Sequence, residues 1–359
     1  VHVLLAAGGT AGHIEPALNL ADALCRLDPT TRITVLGGER GLEATLVPAR
    51  GYVLVTVPSV PMPRRPGRDL LALGPRVRRT VDRAARLVVD EQVDVIVGFG
   101  GYAAVPAYLA ARRTRTPLVI HEANARAGWA NRLGARFTSH VFATFPAVLP
   151  GARPMALPLR HSIATLDRAA LRSAAREEFG LAPDAPVLLA FGGSQGAQRL
   201  NATVSLALPD LRARGVQVLH SYGLRNEAPV AAPGYVPVPF IERMDLAYAA
   251  ADVALTRAGA MTCAELAAVG LPGLYVPLPI GNGEQRLNAL PVVQAGGGLI
   301  IDDAALSPEW LVDSVASVLH DEGTLAAMGA AAAGLGVRDA DERLARAVAD
   351  AVAGGATRG

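Results

Sequence analysis

Short apolar runs alternate with helix-like stretches along the whole chain. In the first half the strand-like runs fall at residues 1–6, 33–36, 52–57, 93–97, 118–121 and 141–143, with helical patterns between them, the first reaching about residue 27. Such alternation predicts a parallel sheet covered by helices. Between residues 154 and 166 the rhythm lapses into a Pro-containing stretch where few contacts need cross, a candidate linker. A second series follows at residues 187–191, 216–220, 236–238, 253–255, 274–276 and 299–301, most of them separated by helices. Residues 308–353 read as helical throughout, Ala-rich, with a last helix able to fold back over the first domain.

The two series echo each other. Leu4 to Gly12 reads LLAAGGTAG and Leu188 to Gly196 reads LLAFGGSQG, each a strand, a glycine turn and a helix start. At 359 residues the chain exceeds what one core usually organises. The expectation is an α/β protein of two Rossmann-like, doubly wound domains facing a cleft, with ligands at the carboxyl ends of the strands. The boundaries expected are 1–158, 159–338 and a C-terminal helix over 339–359.

Composition narrows the classes. With 51% hydrophobic and 18% charged residues the chain can bury a large interior, unlike a disordered one. Its 34 basic and 32 acidic residues leave a net charge of +2, so no global field draws it to nucleic acid. All the basic side chains are arginine, which base composition of the genome explains better than a general need for guanidinium. Cys25 and Cys263 alone make no disulfide framework or metal spacing and suit a reducing compartment. The opening apolar run does not read as a secretory signal. The longest uncharged stretch, residues 266–283, holds Pro272, Pro277 and Pro279, so no membrane-spanning helix is expected.

Candidate chemistry gathers at the strand ends. Glycine after a strand lets backbone amides approach a phosphate, and the helix beyond presents roughly +0.5 charge at its N-terminus. Loops at Gly9, Gly98 to Gly101, Gly193 and Arg257 to Thr262 qualify, although a tight βα turn alone also needs glycine. Neither glycine echo has the G-x-G-x-x-G spacing of a dehydrogenase, and Glu39 is the nearest acid for an adenosine ribose. Arg160 and Arg257 could pair with a diphosphate bidentately, or serve as ordinary ion pairs. Glu265, one turn into the helix after Gly259, could accept two ribose hydroxyls or be a solvated helix acid. Residues 277–288 put Glu284, Gln285 and Asn288 at a helix start, where amides and carboxylates suit sugar hydroxyls. His13, directly after Gly12, is a candidate general base whose helix-N-terminal position lowers its pKa, or a cap without catalysis. His121, Glu122 and Asn124 end another strand on the same rim. No metalloprotease, paired-cysteine or nucleophile-elbow pattern stands in a suitable context, and neither Asp302 with Asp303 nor Asp339 with Asp341 is placed as a metal–diphosphate bridge. No metal or other cofactor is expected.

In combination and order these residues resemble the MurG family, UDP-N-acetylglucosamine transferases of GT-B fold that convert lipid I to lipid II. The carriers are Gly8 to His13 with Pro16 and Ala17, Gly98 to Tyr102, His121 to Asn124 with Ala127, Gly128 and Asn131, Gly192 to Ala197 with Asn201, Arg257 to Thr262 with Glu265, and Glu284, Gln285, Asn288 and Ala289. The similarity covers nearly the whole chain. It implies a UDP-N-acetylglucosamine donor held by the C-terminal domain: Ser194 and Gln195 at the diphosphate, Arg160 and Ile241 at the nucleotide, Arg257, Gly259, Ala260, Met261 and Thr262 in the phosphate-like loop, Glu265 at the ribose, and Glu284, Gln285 and Asn288 at the sugar. It implies that lipid I, the acceptor, meets Thr10, Ala11, Gly12, His13, Tyr102 and Asn124, with His13 and Glu122 catalytic. Two departures stand out: Leu157 replaces the asparagine of the family's Gly-Asn-Pro-x-Arg linker, and Glu284 stands where glutamine is common.

The implied reaction is a metal-free in-line displacement by the C4 hydroxyl of N-acetylmuramic acid, inverting the anomeric carbon from α to β as UDP leaves. A lipid acceptor implies work at the cytoplasmic face of the cell membrane, beside cell-wall synthesis and division proteins. Residues 61–86 carry Arg64, Arg65, Arg68, Arg76, Arg78, Arg79 and Arg83 interleaved with Leu70, Leu71 and Leu73, a candidate contact with an anionic membrane surface or else a solvated helix. A transferase with another acceptor, an epimerase and a non-catalytic nucleotide-binding subunit are the competing classes. An epimerase would convert the donor without an acceptor, and a binding subunit would hold UDP without turnover.

Overall fold

The computed structural model describes residues 1–39, 41–58, 68–193, 196–279, 282–319 and 321–356. The chain divides into two compact units, Val1–Leu159 with Asp339–Gly359, and Arg160–Arg338. Unit 1 runs β1 (His2–Ala7), α1 (Ala11–Leu27), β2 (Arg32–Gly38), α2 (Glu43–Ala49), β3 (Val53–Val57), α3 (Arg68–Asp90), β4 (Val95–Gly100), α4 (Ala104–Thr114), β5 (Leu118–Glu122), α5 (Trp129–Gly134), β6 (His140–Ala143) and β7 (Arg153–Pro154). Its sheet has the order β3-β2-β1-β4-β5-β6-β7, parallel throughout.

β1 shows why this sheet forms. All six of its residues are buried, and successive side chains of a strand point to opposite faces. Val3, Leu5 and Ala7 join Ile14, Ala17, Leu18 and Ala21 of α1 on one face, while Leu4 and Ala6 join Ala84 and Val88 of α3 and Ala104, Ala107 and Tyr108 of α4 on the other. An unbroken apolar run therefore becomes a strand covered by helices on both sides.

Unit 2 contains α6 (His161–Ala164), α7 (Arg168–Glu178), β8 (Val187–Phe191), α8 (Gln198–Ala213), β9 (Gln217–Ser221), β10 (Tyr235–Val238), α9 (Met244–Ala250), β11 (Val253–Thr256), α10 (Ala260–Val269), β12 (Gly273–Tyr275), α11 (Glu284–Gln294), β13 (Gly298–Ile300), α12 (Pro308–Val318) and α13 (Glu322–Ala333). Its parallel sheet has the order β10-β9-β8-β11-β12-β13. The chain then ends in α14 (Ala340–Ala356), whose Leu344, Ala345, Val348 and Ala351 enter the same core cluster as α1. Asp341 of α14 is ion-paired with Arg26 of α1.

Strand order reverses once in each sheet, between β1 and β4 and between β8 and β11. Loops leaving the carboxyl ends of neighbouring strands diverge at such a switch point and open a crevice. The two glycine echoes stand at those two points.

Two expectations change. Residues 154–166 are not a contact-poor linker: Met155, Leu157, Leu159, Ile163 and Leu166 are buried, and Asn19 Nδ2 donates to the Pro158 carbonyl at 2.9 Å. Residues 308–353 are not helical throughout: Asp321 caps α13 through the Thr324 amide and the chain turns at Gly334 to Gly336 before α14, the separate last helix expected. In unit 2, Arg168 donates to the carbonyls of Tyr248, Ala251 and Gly270, tying down the chain ends left by α9 and α10.

Candidate functional site

The first crevice is built from the loops after β1, β4 and β5. Gly8 and Gly9 carry the chain from β1 into α1, whose first turn has no side-chain cap. Thr10 is its N-cap in extended conformation, so the orphan amides of Ala11 and Gly12 begin a helix N-terminus that suits an anion. The loop after β4 passes very close. Gly101 has φ +83°, and a Cβ there would lie 2.2 Å from the Gly8 carbonyl oxygen. Any side chain at 101 would push the two loops apart.

His13 stands in this junction. Its Nδ1 is 3.2 Å from Thr10 Oγ1, and its ring lies against Gly100. Burial pushes the imidazole below its ordinary pKa, against the opposing pull of the Glu122 charge and a hydrogen bond with the Gly8 backbone. The direction is the one expected of a helix start, but desolvation is the leading cause.

Glu122, at the end of β5, is 2% exposed. One oxygen accepts from the Asn124 amide at 3.0 Å and its side chain at 3.4 Å; the other accepts from the Gly128 amide at 3.0 Å and Asn131 Nδ2 at 2.9 Å. A carboxylate with that many donors organises the loop from 122 to 131, and its charge also acts on His13. Tyr102, 57% exposed, borders the same loops. Two further side chains belong here that sequence reading missed. Tyr108 donates to Asn131 Oδ1 at 2.7 Å, and Glu43 of α2 accepts from the amides of Gly38 and Gly9. Glu43 looks in sequence like any first-turn helix acid; only its burial distinguishes it.

The second crevice lies in unit 2. Ser194 and Gln195 lie outside the described residues, but the loop around them is anchored at Gly196. That residue has φ +71°, and a Cβ there would meet the Tyr222 carbonyl oxygen at 2.2 Å. Asn201 and Asn226 both donate to the same carbonyl at 2.8 Å, and buried His220 links Asn201 Oδ1 to the Tyr235 hydroxyl. Burial holds His220 down to about 4, so it stays neutral.

Across the switch point, Gly259 is the N-cap of α10, again with no side-chain cap, and Ala260, Met261 and Thr262 form its half-buried first turn. Arg257 is not the isolated arginine its setting in the sequence suggests. Its guanidinium meets Asp303 at 2.5 Å and the Val276 carbonyl at 3.1 Å, bracing the loop. Glu265, one turn along α10, is half-buried and accepts from the Tyr248 hydroxyl at 2.7 Å, which argues against a merely solvated acid. The positive charge of Arg160 also acts on the Tyr248 hydroxyl. Ile241 is 5% exposed just after β10. At the start of α11, Glu284 and Asn282 exchange backbone-to-side-chain hydrogen bonds, Gln285 Oε1 accepts from the Leu278 amide at 2.9 Å, and buried Asn288 reaches the Ala258 carbonyl at 3.4 Å. Asn288 thereby ties the sugar-type residues to the phosphate-type loop.

Among the described residues no three His, Cys, Asp or Glu side chains form a metal-holding group, and no helix is long and apolar enough to cross a membrane.

Comparison with known proteins covers both units. Residues 3–143 match the glycosyltransferase family 28 N-terminal domain and residues 187–344 its C-terminal domain. A protein of Streptomyces avermitilis named UDP-N-acetylglucosamine--N-acetylmuramyl-(pentapeptide) pyrophosphoryl-undecaprenol N-acetylglucosamine transferase is 57% identical, over 98% of this chain and 99% of its own. Its namesake in Streptomyces coelicolor is 56% identical over the full length of both. Among solved structures, MurG of Acinetobacter baumannii is similar with a TM-score of 0.78 and 27% identity, over 97% of this chain and 99% of that one.

Proposed function

The chain belongs to glycosyltransferase family 28, and from that premise we propose that it transfers N-acetylglucosamine from UDP-N-acetylglucosamine to N-acetylmuramyl-(pentapeptide) pyrophosphoryl-undecaprenol, that is, lipid I to lipid II. The fold is the α/β GT-B class. The observation that carries the reading is identity of 57% over essentially the whole chain, both crevices included.

The acceptor C4 hydroxyl attacks the anomeric carbon, and the product is β-1,4-linked with inversion. On the acceptor side the orphan amides at the start of α1 suit the lipid pyrophosphate, and Tyr102 and Asn124 suit its sugar. His13 takes the proton: Thr10 engages Nδ1, and the lowered pKa keeps the ring unprotonated at neutral pH. On the donor side the start of α10 and the Gly192 to Gly196 loop, with Ser194 and Gln195, take the UDP diphosphate. Arg160 and Ile241 line the nucleotide, Glu265 takes the ribose hydroxyls, and Glu284, Gln285 and Asn288 take the sugar. The developing diphosphate charge is stabilised by fixed backbone dipoles and arginine, and no metal or other cofactor is needed.

The test is transfer of radiolabelled N-acetylglucosamine from its UDP donor to a short-chain lipid I analogue, with chelator present. A β-1,4-linked disaccharide is the expected product, at a rate unchanged by chelator. Donor bound but not transferred would redirect the reading to another acceptor or a non-catalytic subunit, and donor epimerised without acceptor would replace it.

The enzyme works peripherally at the cytoplasmic membrane face, near cell-wall synthesis and division proteins. Arg76, Arg78, Arg79 and Arg83 are exposed on α3, which supports attraction to anionic lipid; Arg64 and Arg65 lie outside the described residues. Binding to vesicles is expected to rise with anionic lipid content and to drop on charge reversal at Arg64 and Arg65. Indifference to both would end the proposal.

A further inference from the structure

The loop that holds His13 is itself held from below. Glu43, at the start of α2, is 1% exposed, and burying a carboxylate is costly unless hydrogen bonds compensate. It accepts from the Gly38 amide at 2.7 Å, at the end of β2, and from the Gly9 amide at 3.3 Å, at the end of β1. Room for it is made by Gly41, where a Cβ would lie 2.0 Å from Glu43 Oε2.

The Gly9 amide and the Gly8 carbonyl are the two polar ends of one peptide group. That group is planar and trans, so its ends point in opposite directions and fixing one aims the other. The aimed end is the Gly8 carbonyl, which lies against Gly101 and whose dipole acts on the His13 ring, while Thr10, next along the chain, engages His13 Nδ1 at 3.2 Å. A cavity of about 70 Å³ lies on one side of the loop, bounded by Gly8, Gly9, Glu43 and Tyr102 among others, while Gly101 and Ala103 pack against Gly8. On the open side the Glu43 carboxylate is the group that holds the Gly9 amide.

We propose that Glu43 is a positioning residue for the transfer: it fixes the plane of the Gly8–Gly9 peptide, and that peptide orients the His13 imidazole. Glu43 touches no substrate in this scheme. It rests on the reading of His13 as the proton acceptor, with Thr10 and Glu122 as the other polar groups that act on the ring.

Glu43→Gln tests it, since the amide presents an N–H to a backbone N–H where the carboxylate accepts. The Gly8 contact raises the His13 pKa, so loosening it lowers that value further. In the full chain, the His13 ring titration followed by NMR, assigned with His13→Ala, is expected to move to lower pH. The acid limb of kcat/KM is expected to move with it, while kcat falls about tenfold and donor KM is unchanged. Glu43→Asp, which keeps the charge with a shorter reach, should recover part of the loss. If Glu43→Gln does not fold, Gly41→Ala displaces the same carboxylate and should move His13 in the same direction. An identical His13 midpoint in wild type and in whichever variant folds would overturn the proposal. Because the titration needs no turnover, it separates this outcome from failure of the wild-type chain to transfer sugar, which would overturn the functional reading instead.

Discussion

His13→Ala is expected to lower kcat for transfer by about 10³-fold, the usual size of a lost general base, with donor binding intact. The residue sits at the start of α1 in unit 1, whereas the residues assigned to the donor belong to unit 2, so UDP affinity should not follow kcat. The pH dependence has a definite sign. Burial lowers the His13 pKa, and the base acts when neutral, so wild-type activity should be level through neutral pH and decline only below the ordinary histidine range. Protonation as pH falls through the lowered pKa removes the acceptor for the C4 proton. An initial-rate series between pH 4.5 and 8, run at saturating donor, checks both points. A variant that turns over at the wild-type rate would remove His13 from the mechanism.

Glu265→Ala carries the second largest expected effect, on the donor side. A carboxylate accepting two ribose hydroxyls from a half-buried position contributes about 3 kcal/mol, which is about a hundredfold in affinity. UDP titrated calorimetrically into the variant should bind that much more weakly, with kcat at saturating donor changed far less. Tyr248→Phe separates the ligand contact from its support. It removes the hydroxyl that donates to Glu265 at 2.7 Å but leaves the carboxylate, so a loss of about fivefold is expected. Equal UDP affinity in wild type and Glu265→Ala would show that the carboxylate serves α9 and α10 rather than the ribose.

Residues of local origin were legible from their order alone. Continuous apolar runs such as Leu4 to Ala7 and Val187 to Phe191 announce strands buried on both faces, and β8 has the bounds the pattern predicts. The glycine echo at Gly9 and Gly193 marks both switch points, because a strand that must turn at once into a helix needs glycine there whatever surrounds it. Short-range rules were weaker at the edges. β7 is two residues long, and its partner β6 makes it a strand. The stretch around Leu157 reads as a loose linker because its prolines break periodicity, yet Met155, Leu157 and Leu159 are buried.

What the sequence by itself determined is which segments are strands and helices, and which polar residues end them; both follow from neighbours a few positions away. Only the tertiary structure decided which of those polar residues are committed elsewhere. Arg257 is tied to Asp303, 46 residues on, Glu265 to Tyr248, and Glu122 to Asn131. Glu43 reaches Gly9 across 34 residues of chain. Periodicity carries no information at such distances. The burial that makes a carboxylate seek those partners arises only when the strands have taken their order in the sheet.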